Sequence, residues 1–141
     1  MADKYTNDAN AWFQNAQNTA RAAKTLFDMG DIFLWFPAAI LGHHALELFL
    51  KTALIRQGCQ IDAAKGVWGH DLVKLGAELS AKTGVVFPDH ILETFKTFND
   101  YFDELRYPKE LKKVMGLGDT EGWLLQDALQ FLLAFAQPPK P

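Results

Sequence analysis

The chain has 141 residues, a single cysteine and a formal net charge of −3, which fits one domain over residues 1–141 with its core at about 8–136. The acidic balance argues against broad electrostatic binding to nucleic acid, and Cys59 alone forms neither an intrachain disulfide nor a thiolate metal site. Because the longest apolar run (32–41) is about half the length of a bilayer-spanning helix and residues 1–10 lack a signal-peptide pattern, we expect a cytoplasmic protein.

Helical periodicity dominates the chain from its first apolar residues. A first helix is predicted over Asp8–Met29, and Gly30 stands where a C-terminal cap is expected. A second helix is predicted to begin between Asp31 and Pro37 and to end at Gly58. This second helix is apolar nearly all round, which predicts a central place in a bundle or cover from a second subunit.

Three further helices are expected over residues 70–82, 88–106 and 119–135, with a short extra segment at 109–114. The last helix is apolar over most of its circumference, which predicts a homodimer interface through this helix and part of the second. The sequence therefore predicts an all-α fold, an antiparallel up-and-down bundle of four long helices plus a short extra helix.

Three polar residues spaced four apart, His43, Glu47 and Lys51, stand out in a second helix that is otherwise almost wholly hydrophobic. At a spacing of four they lie on one ridge of the helix. Burying a charge is costly unless it is paired or hydrogen-bonded, so this polar ridge needs partners from elsewhere in the chain. The best candidates are Gly-His-Asp-Leu at 69–72 and Arg-Tyr-Pro at 106–108.

Taken together, these motifs resemble the HEPN domains. The resemblance lies in the helix of residues 45–54 with its acid and lysine four apart, the turn at 69–72 and the signature at 105–108, and it extends over about residues 8–136. It implies an antiparallel helical bundle that is commonly dimeric. Some HEPN domains are metal-independent RNases with an Arg-x4-6-His motif, whereas others are non-catalytic and bind nucleotides or protein partners, often a nucleotidyltransferase.

The sequence departs from the nuclease pattern, because no histidine follows Arg106 at the required spacing, and Arg21 and Arg56 also fail. The resemblance therefore implies a non-catalytic, Arg-Tyr-Pro-containing type, a binding module for a nucleotide phosphate, RNA phosphate or protein partner. Two alternatives stay open. One is a toxin-like RNase with relocated groups, in which Arg106 stabilises phosphate charge and His70 or His43 is the base; the other is an antitoxin-like scaffold subunit.

The candidate ligand site combines the polar ridge with its two expected partners. In this interpretation Lys51 and Arg106 hold an anion, and Glu47 orients them. The alternative is a buried ion-pair network in which Glu47 bonds Arg106 and the site has no ligand. The full set of candidate ligand-binding residues is Lys51, Arg106, Glu47, His70, His43 and Tyr107.

A metal centre is a third interpretation of the same region. His44-x-x-Glu47 places two possible ligands on adjacent turns of the helix, and His43 and His70 could join them. Only one carboxylate is well placed, however, and no second Glu-x-x-His motif occurs. We therefore predict neither a metal ion nor a cofactor and assign no catalytic residue.

Overall fold

The computed structural model describes residues 5–60, 69–105 and 119–139, and these residues form an antiparallel helical bundle without strands. The helices are α1 (Ala9–Asp28), α2 (Ile32–Arg56), α3 (Leu72–Thr83), α4 (Asp89–Leu105) and α5 (Asp119–Ala136). Four helices are long and α3 is short, so the predicted all-α fold is confirmed. The extra segment predicted at 109–114 lies outside the described residues.

The ends of α1 and α2 follow from their capping residues. The carboxylate of Asp8 accepts a hydrogen bond from the first turn of α1, and Asp31 does the same for α2. Gly30 joins the two helices with a φ of 68°, a left-handed conformation that suits glycine. Pro37 lies inside α2, slightly beyond its first turn, rather than at its start.

Helix α2 is the central element, packed by all four other helices. Among the described residues it is the one helix whose length and composition would suffice to cross a membrane, and half of its most apolar stretch is buried. A core helix of a bundle has the same properties. A Cβ on Gly42 would lie 2.7 Å from Phe98 and 2.9 Å from Leu125, so the bare glycine lets α4 and α5 approach α2 closely.

The remaining helices bury one face each. In α4 the buried stripe includes Ile91, Phe95, Phe98 and Tyr101, whereas Phe102 is only partly buried. The apolar residues of the last helix, α5, are not all buried within the bundle. Its buried residues include Leu125, Leu129 and Leu132, whereas Trp123 is 76% exposed.

Candidate functional site

The polar ridge of α2 is buried along its whole length. His43, Glu47 and Lys51 are 1%, 4% and 6% exposed. The Lys51 ammonium donates a hydrogen bond of 2.8 Å to Glu47 Oε2, so the two charges form an ion pair within one helix. Lys51 and Glu47 are therefore partners of each other, and the buried charges of the ridge depend only in part on residues from elsewhere in the chain.

The second partner of Glu47 is His70, in the turn that precedes α3. His70 Nδ1 lies 2.8 Å from Glu47 Oε1, and because a carboxylate accepts, Nδ1 is the nitrogen that carries the proton. The other ring nitrogen, Nε2, has no partner among the described residues, and the side chain is 60% exposed. Glu47 therefore orients an imidazole whose unused nitrogen is accessible to solvent.

Glu47 is ionised at neutral pH in spite of its burial. Burial acts to raise its pKa, but the hydrogen bond and charge of Lys51, followed by those of His70, outweigh this effect. The pKa of Glu47 is lowered from its ordinary value of 4.5 as a result. The site thus contains a fixed negative charge with a cation on one side and an imidazole on the other.

His43 holds the backbone of the same turn. Its Nε2 lies 2.8 Å from the carbonyl oxygen of His70 and 3.3 Å from Asn99 Oδ1. Both are acceptors, so His43 donates from Nε2 and its Nδ1 is bare, buried and without a hydrogen-bond partner among the described residues. Burial lowers the pKa of His43 below 6.5 against the opposing charge of Glu47, which keeps this imidazole neutral at pH 7.

Two residues of α4, Asn99 and Phe102, complete the support, and neither was predicted from the sequence as part of the site. Asn99 Oδ1 accepts a hydrogen bond of 3.0 Å from the backbone N–H of Leu72, and Asn99 Nδ2 donates one of 3.0 Å to Asp71. Phe102 stacks on His43 with ring centroids 4.3 Å apart and lies 5.1 Å from His70. An asparagine one turn before Phe102 was the available sequence signal.

A cleft of about 780 Å³ opens beside Glu47, Lys51 and His70, between α1, α2 and the turn before α3. Its opposite wall carries Tyr5 and Trp12, whose rings meet edge to face at 6.3 Å. These aromatic residues were not predicted as part of a site, because the periodicity placed Trp12 simply on the apolar face of α1. The cleft therefore joins a charged wall to an aromatic one.

Lys51 has unused hydrogen-bonding capacity on this cleft. An ammonium group has three N–H donors, and one of them binds Glu47. The other two have no partner among the described residues, although the side chain is only 8% exposed. Nearly buried donors favour a partner from the cleft, either water or a ligand acceptor.

Arg106 and Tyr107 lie outside the described residues, so the pairing of Glu47 with Arg106 stays a prediction. Both oxygens of Glu47 already have partners, Lys51 and His70. Within residues 5–60, 69–105 and 119–139, no three His, Cys, Asp or Glu side chains form a group that could hold a metal ion.

Comparisons with known proteins agree with this architecture. The crystal structure of TT1696 from Thermus thermophilus is similar, with a TM-score of 0.67 and 25% sequence identity over 93% of this chain and 97% of that one. No curated protein matches the chain with significance. The family model of the HEPN domain matches residues 9–134, nearly the whole sequence. The chain therefore belongs to the HEPN domain family.

Proposed function

We propose that this HEPN domain is a non-catalytic binding module for a nucleotide, held in the cleft between α1, α2 and the turn before α3. The observation that supports this proposal is Lys51, a nearly buried cation on the cleft wall with two donors unused by the described residues. Ligand sites of about 300–1,000 Å³ are usual in proteins, and the cleft, at about 780 Å³, lies within that range.

The two walls of the cleft suit the two ends of a nucleotide. Lys51 and the exposed Nε2 of His70 are the groups that would contact a phosphate, and Glu47 fixes both of them. The ring of Trp12 or Tyr5 offers a face on which a base can stack. Because the carboxylate of Glu47 offsets the positive charge of Lys51, we expect the affinity for a phosphate to depend more on the fixed positions of Lys51 and His70 than on the net charge of the site.

Thermal melting and calorimetry with AMP, GMP, CMP and UMP test this proposal. At least one nucleotide should raise the melting temperature, with a stabilisation of about 2.7 kcal/mol at a concentration 100 times Kd. Lys51→Met should remove the shift while keeping the length of the side chain. Lys24→Met is the matched control, because Lys24 is an exposed lysine paired with Asp28 on α1.

The control variant should respond to nucleotide as the wild type does. A flat response of the wild-type protein to all four nucleotides would contradict the proposal. Equal loss of the shift in Lys51→Met and Lys24→Met would also count against it, since the effect would then be one of general charge.

RNA cleavage is the second candidate function, and one observation favours it. His70 is oriented by Glu47 through a hydrogen bond of 2.8 Å and exposes its other nitrogen, an arrangement typical of a general base. Purified protein should then cleave RNA in the presence of EDTA, and His70→Ala and Arg106→Ala should abolish cleavage. An absence of cleavage at high protein concentration ends this candidate.

We further propose that the domain forms a homodimer through an apolar patch at the end of the bundle where α1 meets α2. Trp123 is near this end, because a Cβ on its neighbour Gly122 would lie 3.2 Å from Phe27 of α1. Patches of this kind mark interaction sites. The exposed hydrophobic residues of the patch are Met29, Ile32, Phe33, Phe36 and Trp123.

Light scattering coupled to size exclusion tests the dimer. Phe33 is 83% exposed on the patch, and Val86, at the α3–α4 connection, is 86% exposed. Phe33→Ser should shift the protein toward monomer, whereas Val86→Ser should leave the dimer intact. A monomeric wild-type protein at micromolar concentration would contradict the proposal.

A further inference from the structure

A second cavity lies on the other flank of α1, in the groove between α1 and α5. Its volume is about 420 Å³, and Phe49 of α2 lies in its floor with Leu129 and Leu133 of α5. Gln14 and Asn18 line this groove and also line the Lys51 cleft. The two cavities are therefore neighbours that share a wall, and α1 separates them.

The second groove has its own polar chemistry. Arg21 is the one charged residue in its lining, which contains no carboxylate among the described residues. Arg21 donates a hydrogen bond of 3.0 Å from Nη2 to Asn18 Oδ1, and its other N–H groups have no partner in the part of the chain that the structure describes. The remaining polar lining consists of the side-chain amides of Gln14, Gln17, Asn18, Gln126 and Gln130.

The hydrogen bonds on α1 run from one cavity to the other. Gln14 Nε2 lies 3.4 Å from Asn18 Oδ1, the same oxygen that accepts from Arg21. Residues 14, 18 and 21 follow one another at helical steps of four and three, so they lie along one ridge of α1. This ridge is polar and exposed, which leaves an open surface between the Lys51 cleft and the groove.

We propose that the groove between α1 and α5 is a second subsite, which takes a later phosphate and base of a single-stranded oligonucleotide whose first nucleotide fills the Lys51 cleft. This inference rests on the proposed nucleotide-binding function and extends it from a mononucleotide to a short strand. Arg21 is the group that meets the later phosphate.

The chemistry of the groove matches such a unit. The guanidinium fork of Arg21 suits phosphate oxygens, and a lining without acids among the described residues spares a phosphate from repulsion. Amides both donate and accept, so they can pair with the polar edges of a base. The apolar floor of the groove, which includes Phe49 and Leu129, can contact the face of the same base.

Calorimetry with AMP and with 5′-phosphorylated oligoadenylates of two and three residues tests the proposal, with a uridylate series in parallel. The trimer of at least one series should bind about tenfold more tightly than its monomer, as expected for one added charged hydrogen-bonded contact. The slope of log K against log salt concentration should be steeper for the trimer than for the monomer, because the trimer brings a further phosphate to Arg21.

Arg21→Ala should remove the length-dependent gain and leave the affinity for the mononucleotide unchanged. Lys24→Ala is the matched control, since Lys24 is also an exposed cation of α1 but does not line the groove. Gln130→Ala should reduce the gain in part. Because these side chains are exposed, the variants should melt with the wild-type protein.

Trimers that bind no more tightly than mononucleotides would overturn the second subsite while leaving the proposed function intact. Loss of affinity for monomer and trimer alike in Arg21→Ala would overturn it as well. If neither monomers nor oligomers bind the wild-type protein, the proposed function and the subsite fail together.

Discussion

The two sides of α2 are built from different interactions, although Gly42 and His43 are neighbours in sequence. On one side Gly42 brings the helix against Phe98 and Leu125 with no room for a Cβ. On the other side His43 and Glu47 make directional hydrogen bonds to His70 in the turn before α3. The apolar side fixes where α2 lies in the bundle, whereas the polar side fixes the geometry of the turn before α3.

The largest effect should come from breaking the ion pair on the polar side. Glu47→Ala leaves the Lys51 ammonium buried without its carboxylate and removes the partner of His70. We expect a loss of about 3–5 kcal/mol in the free energy of unfolding, as for other broken buried pairs. Urea denaturation measures it.

Glu93→Ala is the matched control for that prediction. Glu93 pairs with Lys96 on the surface of α4, with side chains 69% and 60% exposed, so its removal should change stability by less than about 1 kcal/mol. If Glu47→Ala were as mild as Glu93→Ala, the polar ridge would not be the structural element described above.

A smaller but still large effect is expected on the apolar side. In Gly42→Ala the new Cβ would lie 2.7 Å from Phe98 Cε1 and 2.9 Å from Leu125 Cδ2, so these two buried side chains or the helices that carry them must shift. We expect a destabilisation of about 1–3 kcal/mol, typical of overpacking. Gly76→Ala meets the Phe95 ring at 3.1 Å and should cost less, so a reversed order in thermal melting would contradict this packing.

Acid should weaken the polar side before it affects the apolar side. Because burial lowers the pKa of His43 below 6.5, the unfolded chain binds this proton at a higher pH than the folded protein does. The contribution of neutral His43 to the free energy of unfolding is therefore complete above about pH 6.5, and it is lost as the pH falls toward the pKa of His43 in the folded protein. Glu47 adds a further loss below its ordinary value of 4.5, again because its folded pKa is lowered.

Unfolding measured from about pH 7.5 to about pH 4 separates these contributions. His43→Gln should flatten the portion of the curve just below pH 6.5, whereas His44→Gln, which changes the exposed neighbour, should keep it. A wild-type curve that stays level between about pH 6.5 and about pH 5 would be evidence against a buried neutral His43.

The smallest effect is expected far from α2, at the surface pair of His90 and Asp127. Their side chains meet at 2.7 Å but are 57% and 59% exposed. Solvent screens such pairs, so His90→Ala should change stability by less than about 1 kcal/mol. A larger loss in thermal melting would show that specific polar contacts stabilise this fold outside the ridge as well.

The bundle itself was largely predictable, because caps and periodicity are local signals. Asp8, Asp31 and Asp71 cap the helices near the predicted starts, and the polar ridge stood out against its apolar surroundings. The turn at 69–72 was also identified as a partner of the polar ridge, since a buried charge demands a partner, although Arg106 rather than His70 was the predicted partner of Glu47. These inferences need only spacing along the chain and the cost of burial.

Other parts of the site could not be inferred in this way. Asn99 and Asp71 are 28 residues apart in sequence, and their pairing depends on how α3 packs against α4. Trp12 has the periodicity of a core residue, yet it lines an open cleft with Tyr5. Whether an apolar residue faces a core or a cavity depends on the shape of the neighbouring helices, which local patterns do not contain.

A double variant tests the central claim most directly, the claim that Glu47 and Lys51 serve a ligand rather than the fold alone. Glu47→Leu combined with Lys51→Met replaces the buried pair with apolar groups of similar size, a change that is often neutral or stabilising. The double variant should melt at or above the wild-type temperature. Calorimetric titration with AMP, GMP, CMP and UMP should show that it binds none of the nucleotides that the wild type binds. Wild-type affinity in the double variant would contradict the account.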